Sequence, residues 1–407
     1  LLDLITDLVE STDAIPDAAS IMITGVQLDS RLLREGDLFL ACFGRNHDAR
    51  DYIDKAIDVG VAAILADADD NWEGVQVIGN VPVVAIDNLP AKISEIAARF
   101  YSRPSEKLTV IGITGTNGKT SCSQFIAQAL TEANFKCGLI GTLGYGIYGS
   151  LKETQLTTPD AVFTQMALAE MVLGGVDPVV MEVSSVGLHQ KRVKKVQFET
   201  AIFTNLTRDH LDYHGSMEAY AENKKKLFTA KGLKHAIVNL DDPYALSIIN
   251  SIAKGVEVST YSINKSIATV HAEELSLNRH GFEARICTPI GSGIVKGRLI
   301  GYFNFSNLLA VTAALLSYLP ARKEVNIDEL CQGISNLKPV NGRMEIIGDS
   351  EEITAMVDYA HTPDGLRAAL SGLRDHFEGN IWCVFGCGGS RDKGKRPMMG
   401  EIAEKYA

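Results

Sequence analysis

One segment constrains the fold of this chain more than any other: an apolar run, a glycine-rich loop and an amphipathic helix follow one another directly. Residues Leu108–Ile113 have the pattern of a buried strand, and Thr114–Thr120 read TGTNGKT. The apolar positions of the next segment fall on one helical face: Phe125, Ile126, Ala129 and Leu130. Glycines let backbone N–H groups approach an anion, and a helix N-terminus attracts negative charge. The segment therefore predicts a phosphate-binding loop within a parallel α/β sheet.

The loop carries the side chains that ATP chemistry requires. Lys119 supplies a charge for the β- and γ-phosphates, and the Thr120 hydroxyl can bind Mg²⁺. The backbone that would cradle the phosphates belongs to Gly115, Thr116, Asn117 and Gly118. The strict GxxxxGK[ST] pattern needs glycine where this chain has Ile113, so a chance Gly-Lys-Thr turn is the alternative.

The rest of the chain continues the alternation of short apolar runs with helical periodicity, which predicts parallel sheets covered by helices. Two segments have the composition of linkers, Ser102–Ser105 and Leu337–Gly342. We therefore predict three α/β domains, at residues 1–104, 105–338 and 339–407. The last one is expected to be incomplete, because the chain stops inside a helix predicted at Met398–Ala407, which follows a strand.

Composition excludes several classes of function. The chain has 39 Lys and Arg against 50 Asp and Glu, a net charge of -11, which argues against nucleic-acid partners and acidic membrane surfaces. Seven cysteines without zinc-finger spacing suit reduced thiols in a cytoplasmic protein. No apolar run is long enough to span a bilayer, and the first residues lack a signal-peptide pattern.

Two strands beside the loop bring candidate metal ligands. Pro178–Val183 delivers Glu182 near its end, and Ala201–Thr204 leads towards His210. Ligands bind at the carboxyl ends of such strands, so both side chains are predicted to hold Mg²⁺ next to Thr120. His210 and His214 also have an i, i+4 zinc spacing, but HLDYH lacks the glutamate of HExxH. A purely structural role for either histidine is the remaining alternative.

A lysine lies on the apolar face of the predicted helix Ser216–Phe228, whose N-cap is expected to be Ser216. Lys224 lies among Met217, Tyr220, Leu227 and Phe228, whereas Lys225 and Lys226 turn towards solvent. Burial disfavours an ammonium ion, and a neutral amine can capture CO₂ to become a carbamate, an anion suited to Mg²⁺. An ordinary lysine that extends along the helix to water is the alternative.

Several strings resemble the Mur ligases and their folylpolyglutamate synthetase relatives: GTNGKT, MEVSS, TNLTRDHLDYHG, MEAYAENK and VDYAHTPD. The last is most similar to the MurE type, which adds the third stem-peptide residue of peptidoglycan. The resemblance implies a uridine-nucleotide domain, a central ATP-binding domain and a C-terminal Rossmann-like domain. It also implies that Lys224 is carbamylated and that Glu182 and His210 hold Mg²⁺.

Four further residues are predicted at the nucleotide. Asn304 can read an adenine edge, and Arg343 can contact phosphate or ribose. Helix capping by the asparagine and a surface position for the arginine are the alternatives. The resemblance adds Asp358 and His361 of VDYAHTPD, which in the family help to close the nucleotide site. In the same string, Thr362 and Pro363 fit the N-cap and first position of a following helix.

Substrate contacts rest on the resemblance alone. It implies binding of a UDP-muramyl peptide by Ser30, Gly44, His47, Thr157, Thr158, Ser184, Gln190 and Arg192. It also implies that Arg391, in the glycine-rich loop after a predicted strand at Ile381–Phe385, binds the incoming amino acid.

The implied reaction transfers phosphate from ATP to UDP-MurNAc-L-Ala-D-Glu, and an amine then attacks the acyl phosphate. We expect meso-diaminopimelate as the amine, with L-lysine as the alternative, and a monomeric enzyme. A folylpolyglutamate synthetase-like ligase and a catalytically silent nucleotide-binding protein are the rival interpretations.

Overall fold

The computed structural model of the protein describes residues 1–9, 12, 14–44, 47–348, 353–388 and 392–407. Its α-helices are α1 (Leu2–Ile5), α2 (Ile53–Val59), α3 (Leu89–Phe100), α4 (Lys119–Glu132), α5 (Ala161–Leu173), α6 (Ser185–His189), α7 (Leu211–His214), α8 (Met217–Lys225), α9 (Ala245–Ile249), α10 (Tyr302–Tyr318), α11 (Ile327–Ser335), α12 (Pro363–His376) and α13 (Lys395–Tyr406). None of these described helices combines the length and apolar character that a membrane crossing requires.

The strands are β1 (Gly25–Gln27), β2 (Asp37–Ala41), β3 (Ala63–Asp67), β4 (Val75–Ile78), β5 (Val81–Ile86), β6 (Val110–Thr114), β7 (Gly138–Gly141), β8 (Gly144–Ile147), β9 (Ser150–Lys152), β10 (Val179–Glu182), β11 (Thr200–Phe203), β12 (His235–Asn239), β13 (Glu257–Ser262), β14 (Val270–Asn278), β15 (Gly281–Thr288), β16 (Gly291–Gly297), β17 (Glu345–Ile347) and β18 (Ala355–Val357). Short 3₁₀ helices occupy Ala49–Tyr52 and Pro104–Lys107.

The chain divides into two compact units. The first comprises residues 1–107 with two later segments, 159–174 and 189–196, and the second comprises all other residues. Helix α5 lies in one of these later segments. No feature of the sequence indicated that this helix would belong to the first unit. The boundaries at residues 104 and 338 stay predictions.

The first unit contains a five-stranded sheet in the order β1-β2-β3-β5-β4, in which only β4 runs antiparallel to its neighbour. Successive residues of β2 pack into different apolar clusters: Leu38 and Leu40 belong to one, and Phe39 and Ala41 to the other. Side chains of a strand alternate between the two faces of a sheet. The sheet is therefore buried on both faces, as expected for a parallel α/β domain.

A buried carboxylate organises the end of α3 in the first unit. Glu95 lies 2.7 Å from Arg99, 2.5 Å from Arg103 and 2.6 Å from Lys195. Burial alone would raise the pKa of Glu95, but hydrogen bonds from these three cations prevail and lower it to about 2.

The second unit contains an eleven-stranded sheet in the order β16-β15-β14-β13-β12-β11-β6-β10-β7-β8-β9. The strands from β14 to β7 in this order are parallel, and antiparallel strands extend both edges. Helices α4 and α10 contribute Phe125, Leu130, Phe305 and Leu309 to the main apolar core. The predicted phosphate loop follows β6, which lies between β11 and β10.

The last part of the chain agrees only partly with the sequence expectations. Thr362 caps α12 by accepting a hydrogen bond from the Gly365 amide, as predicted. The prediction of a strand at Ile381–Phe385 is wrong, because these residues have no strand conformation. A strand requires a hydrogen-bonded neighbour, and β17 and β18 pair with each other instead. The final helix is present but begins at Lys395 rather than Met398.

Candidate active site around the phosphate loop

The phosphate loop lies where three parallel strands end together. Strand β6 ends at Thr114, and α4 begins at Lys119 after the N-cap residue Gly118. Its neighbour β10 ends at Glu182, so the parallel register brings this carboxylate to the loop. The other neighbour, β11, leads directly into Asn205. The convergence that the sequence predicted at the carboxyl ends of the strands is present.

Glycine is required where the loop turns into α4. Gly118 has a φ of +87°, which is unfavourable for residues with a side chain. A Cβ atom at this position would also lie 2.5 Å from the Asn307 side-chain oxygen. The position therefore excludes larger residues on two independent grounds.

Asn205 shapes the loop, although the sequence analysis did not single it out. Its backbone carbonyl accepts a hydrogen bond from the Thr116 amide at 2.9 Å, and its side-chain oxygen accepts one from the Asn117 amide at 2.9 Å. Its Nδ2 donates to the Asn117 carbonyl at 3.1 Å. The loop is thus held by the segment that follows β11.

Lys119 folds back over its own loop. Its Nζ donates to the carbonyls of Gly115 and Thr116, each at 2.8 Å. Burial lowers the pKa of Lys119, while the negative charges of Glu182 and Asp209 act in the opposite direction. The ammonium is therefore close to the backbone that would surround a phosphate.

Glu182 is fixed by two threonines. Its side chain is almost fully buried, and Oε2 accepts a hydrogen bond from Thr120 Oγ1 at 2.9 Å. Thr142 donates from its amide to Oε1 at 2.9 Å and from its hydroxyl to Oε2 at 3.2 Å. Arg343 Nη2 donates to the same Thr120 hydroxyl at 3.0 Å. The hydroxyl of Thr120, itself a predicted metal ligand, therefore contacts both a second predicted ligand, Glu182, and the predicted nucleotide contact, Arg343.

Lys224 has the inward position that the helical pattern predicted. It is 1% exposed, its Nζ donates to the Gly115 carbonyl at 2.8 Å, and it lies 4.5 Å from the ring centroid of Tyr220. Burial holds its pKa well below the ordinary lysine value, and the charge of Lys119 lowers it further, although Asp209 opposes both. Burial thus favours the uncharged form of this amine.

The helix that carries Lys224 is shorter than predicted, because α8 ends at Lys225. Its N-cap is Ser216, as predicted, since this hydroxyl accepts from the Ala219 amide. Lys225 is less exposed than expected: its side chain is 18% exposed and pairs with Glu222 at 2.6 Å.

Asp209 lies between two predicted site histidines and was missed at the sequence level. Its Oδ2 is 3.3 Å from His210 Nε2 and 3.9 Å from His361 Nε2. Burial lowers the pKa of His210, although Asp209 raises it, so the imidazole is neutral at neutral pH. In the sequence, a role for Asp209 was indicated only by its position next to the predicted ligand His210, because His361 is distant in the chain.

His214 does not behave as the second member of a zinc pair. Its Nε2 lies 2.9 Å from Ser185 Oγ, and its ring stacks on Tyr220 at 5.2 Å between centroids. These contacts favour the structural alternative for this histidine.

The other predicted nucleotide residues lie on α10 and beside β18. Asn304 is buried, and its Nδ2 donates to the Ile300 carbonyl at 2.9 Å, while Oδ1 has no hydrogen-bond partner among the described residues. Asp358 accepts from the backbone amides of Met344 and Ala360, each at 2.9 Å, and burial raises its pKa. The Asp358 carboxylate thereby holds the turn that carries Arg343.

Three of the predicted substrate residues lie beside Glu182 in the second unit. Thr157 Oγ1 is 3.0 Å from Thr142 Oγ1. Thr158 donates to the Glu182 carbonyl at 3.0 Å and accepts from the Ser184 amide at 2.9 Å. These side chains line the same edge as the phosphate loop.

The remaining predicted substrate residues lie in the first unit or outside the described residues. Asp29 and Arg31, which lie on either side of Ser30 in the chain, form a salt bridge of 2.6 Å. The amide of Gly44 donates to the His47 carbonyl at 3.0 Å. Gln190 accepts from Arg192 at 2.6 and 2.9 Å. Arg391 lies outside the described residues.

Comparison with protein families finds matches along most of the chain. Residues 22–101 match the Mur ligase family, catalytic domain, and residues 113–315 match the Mur ligase middle domain. Residues 342–407 match the Mur ligase, glutamate ligase domain.

Individual relatives are similar over nearly the whole chain. The UDP-N-acetylmuramoyl-L-alanyl-D-glutamate–2,6-diaminopimelate ligase of Coxiella burnetii is 46% identical over 393 residues, covering 96% of this chain and 79% of that protein. The enzyme of the same name from Pseudomonas aeruginosa is 44% identical, covering 95% and 78%.

Solved structures show the same similarity. A structure of a ligase with that name is 34% identical with a TM-score of 0.75, covering 95% of this chain and 77% of that one. MurF ligase from Thermotoga maritima in complex with ADP has a TM-score of 0.65 at 18% identity, covering 95% and 82%, and supports the fold alone.

Proposed function

The chain belongs to the Mur ligase family, and we propose that it uses ATP to join 2,6-diaminopimelate to UDP-N-acetylmuramoyl-L-alanyl-D-glutamate, releasing ADP and phosphate. One observation carries the chemistry. The predicted phosphate-binding lysine, Lys119, and the buried Lys224 both donate to the carbonyl of Gly115, at the turn between β6 and α4. A phosphate-binding group and a buried amine thereby contact the same loop carbonyl.

The first step brings together two anions that repel each other, the triphosphate and the D-glutamyl carboxylate. The carboxylate attacks the γ-phosphorus, forming an acyl phosphate and releasing ADP. In our proposal, Lys119 breaks its hydrogen bonds to the two loop carbonyls and donates to phosphate oxygens instead. Arg343 is already directed at Thr120 and adds a second positive charge. Charge neutralisation and positioning are the main contributions that a protein makes to this chemistry.

The side chains around the loop fit Mg²⁺. Thr120, Glu182 and His210 offer the hydroxyl, carboxylate and neutral imidazole that would hold it, and a carbamate on Lys224 would add a further anion. When bound, Mg²⁺ would neutralise the phosphate oxygens. Burial favours the uncharged amine of Lys224, and the uncharged amine can add CO₂ and release one proton to give that carbamate.

The nucleotide is proposed to contact residues from both sides of the loop. Asn304 has an unpaired buried oxygen that can accept from the adenine amino group, and Arg343 can bind phosphate or ribose. Asp358 fixes the turn of Arg343, and His361 approaches Asp209 from the last part of the chain.

The muramyl peptide is proposed to bind Thr157, Thr158 and Ser184 beside Glu182, with the first-unit contacts Ser30, Gly44, His47, Gln190 and Arg192. The incoming amine attacks the acyl phosphate carbon, the carbon–oxygen bond to phosphate breaks, and a proton leaves the amine. Arg391 is proposed to bind the amino-acid carboxylate, since an arginine fork suits that group. We also propose a cytoplasmic location and a monomeric state.

The test is ADP release by the full-length protein with and without UDP-N-acetylmuramoyl-L-alanyl-D-glutamate, and with either diaminopimelate or L-lysine. We expect turnover only with the dipeptide substrate, and a preference for diaminopimelate of ~10³-fold or more. A site built for a second carboxylate leaves polar groups unpaired when that carboxylate is missing. Faster turnover with lysine would overturn the amino-acid assignment, and turnover that ignores the dipeptide would overturn the ligase assignment.

A further inference from the structure

Three metal-ligating side chains meet on an antiparallel strand pair that the ligase chemistry does not use. His271 on β14 lies directly opposite Cys287 on β15. Glu273 is two residues after His271, so it points to the same face of the sheet. The ligand atoms of these three residues all lie within 4.8 Å of one another. No local sequence pattern marks this group, because it depends on the register of two strands.

The ring of His271 is oriented as in a metal-binding histidine. Its Nδ1 lies 3.0 Å from the Ala268 carbonyl, which can only accept a hydrogen bond, so Nδ1 carries the proton. The lone pair of Nε2 is then free, and Nε2 lies 3.9 Å from Glu273 Oε1. A backbone carbonyl that fixes the other ring nitrogen is a common feature of protein metal sites.

Arg285 on β15 lies opposite Glu273 but contacts a different carboxylate. Glu273 pairs in register with Arg285, and the register shifts only after it, between Glu273 and Ser276. Glu274 has a φ of +52° at this bulge, and its carboxylate lies 3.5 Å from Arg285 Nε. The carboxylate near Arg285 is therefore that of Glu274, whereas the Glu273 carboxylate lies beside His271 and Cys287.

We propose that His271, Glu273 and Cys287 bind a zinc ion on the outer part of the large sheet. The thiolate, together with imidazole and carboxylate, favours Zn²⁺ over Mg²⁺, because thiolate is a ligand for zinc and not for magnesium. Three protein ligands leave a fourth tetrahedral position for water. Ligand atoms around tetrahedral zinc are roughly 3.5 Å apart, so the side chains close by about 1 Å on binding.

Binding deprotonates the thiol: the sulfur–hydrogen bond breaks, the proton goes to solvent and the sulfur–zinc bond forms. Burial raises the pKa of Cys287, and the charge of Glu273 adds to this effect. The thiol therefore keeps its proton until a cation arrives, and affinity is expected to rise with pH.

The test is a Co²⁺ titration of chelator-treated full-length protein, because cobalt bound by a thiolate gives a near-ultraviolet charge-transfer band. We expect one cobalt ion with this band per chain, displaced by Zn²⁺ and not by Mg²⁺. Cys287→Ser should abolish the band, and Glu273→Gln should weaken binding about tenfold or more. Glu274→Gln is the matched control within the same bulge, and Cys42→Ser is the control for another half-buried thiol. Both should keep the band.

Absence of the band in the wild-type protein, or its persistence in Cys287→Ser, would overturn the site. If Cys287→Ser fails to fold, the comparison of Glu273→Gln with Glu274→Gln decides the question. Zn²⁺ should also raise the Tm of the wild-type protein and of Glu274→Gln more than that of Glu273→Gln. Equal shifts in all three proteins would place the zinc elsewhere.

Discussion

Replacing Lys224 by alanine tests the central feature of the proposed active site. The side chain is 1% exposed and donates to the Gly115 carbonyl within the phosphate loop. A structural lysine in this place would contribute a buried hydrogen bond, and its loss would cost about 1–3 kcal/mol of unfolding free energy. A carbamate formed on this amine would instead stabilise the transition state of the reaction. Its removal should reduce turnover by ~10²-fold or more, about 2.7 kcal/mol.

Lys225→Ala is the matched control, because Lys225 is adjacent in the same helix but pairs with the exposed Glu222. Such a pair is worth about 0.2–1 kcal/mol, so turnover should change little. Lys224→Arg is a second comparison, since arginine keeps a charge but cannot form the carbamate, and it should be as inactive as Lys224→Ala.

The assay combines ADP release with ¹³C NMR of protein supplied with labelled bicarbonate. Wild type and Lys225→Ala should show a carbamate signal that Lys224→Ala lacks. CO₂ adds only to the neutral amine, and the pKa of Lys224 is well below its ordinary value. The signal should therefore weaken as the pH falls through that lowered pKa. Equal losses of turnover in both alanine variants, or an active Lys224→Arg enzyme, would refute the reasoning.

Three further predictions follow from contacts of the described residues. Asp209→Asn should lower turnover about tenfold or more with little change in Tm, because the carboxylate between His210 and His361 loses its charge. Unchanged kinetics would show that Asp209 has no role in the reaction. Gly118→Ala should raise the KM for ATP and reduce Tm, since φ is +87° and the new methyl group meets the Asn307 oxygen; an unaffected enzyme would contradict the loop geometry. Glu95→Gln should lower unfolding free energy by about 1–3 kcal/mol at pH 7. The folded pKa is depressed to about 2, so this contribution is complete above pH ~4.5 and is lost as the pH falls towards 2, which acid unfolding of both proteins would reveal.

Sequence alone determined the features that depend on residues close together in the chain. The phosphate loop between β6 and α4 has the strand, turn and helix that TGTNGKT predicts. The burial of Lys224 followed from helical periodicity, and the capping of α12 by Thr362 followed from the Thr-Pro pair. Each of these depends on local periodicity or backbone preference, which a single segment of sequence contains.

Tertiary structure decided the features that depend on which distant segments meet. Asp209 approaches His361 although 151 residues lie between them, and Asn205 completes a loop that precedes it by some ninety positions. The strand expected at Ile381–Phe385 does not form, because pairing requires a partner that periodicity cannot supply. His271 meets Cys287 only through the register of β14 and β15. Register and helix placement are set by the free energy of packing the whole chain, so no local pattern records them.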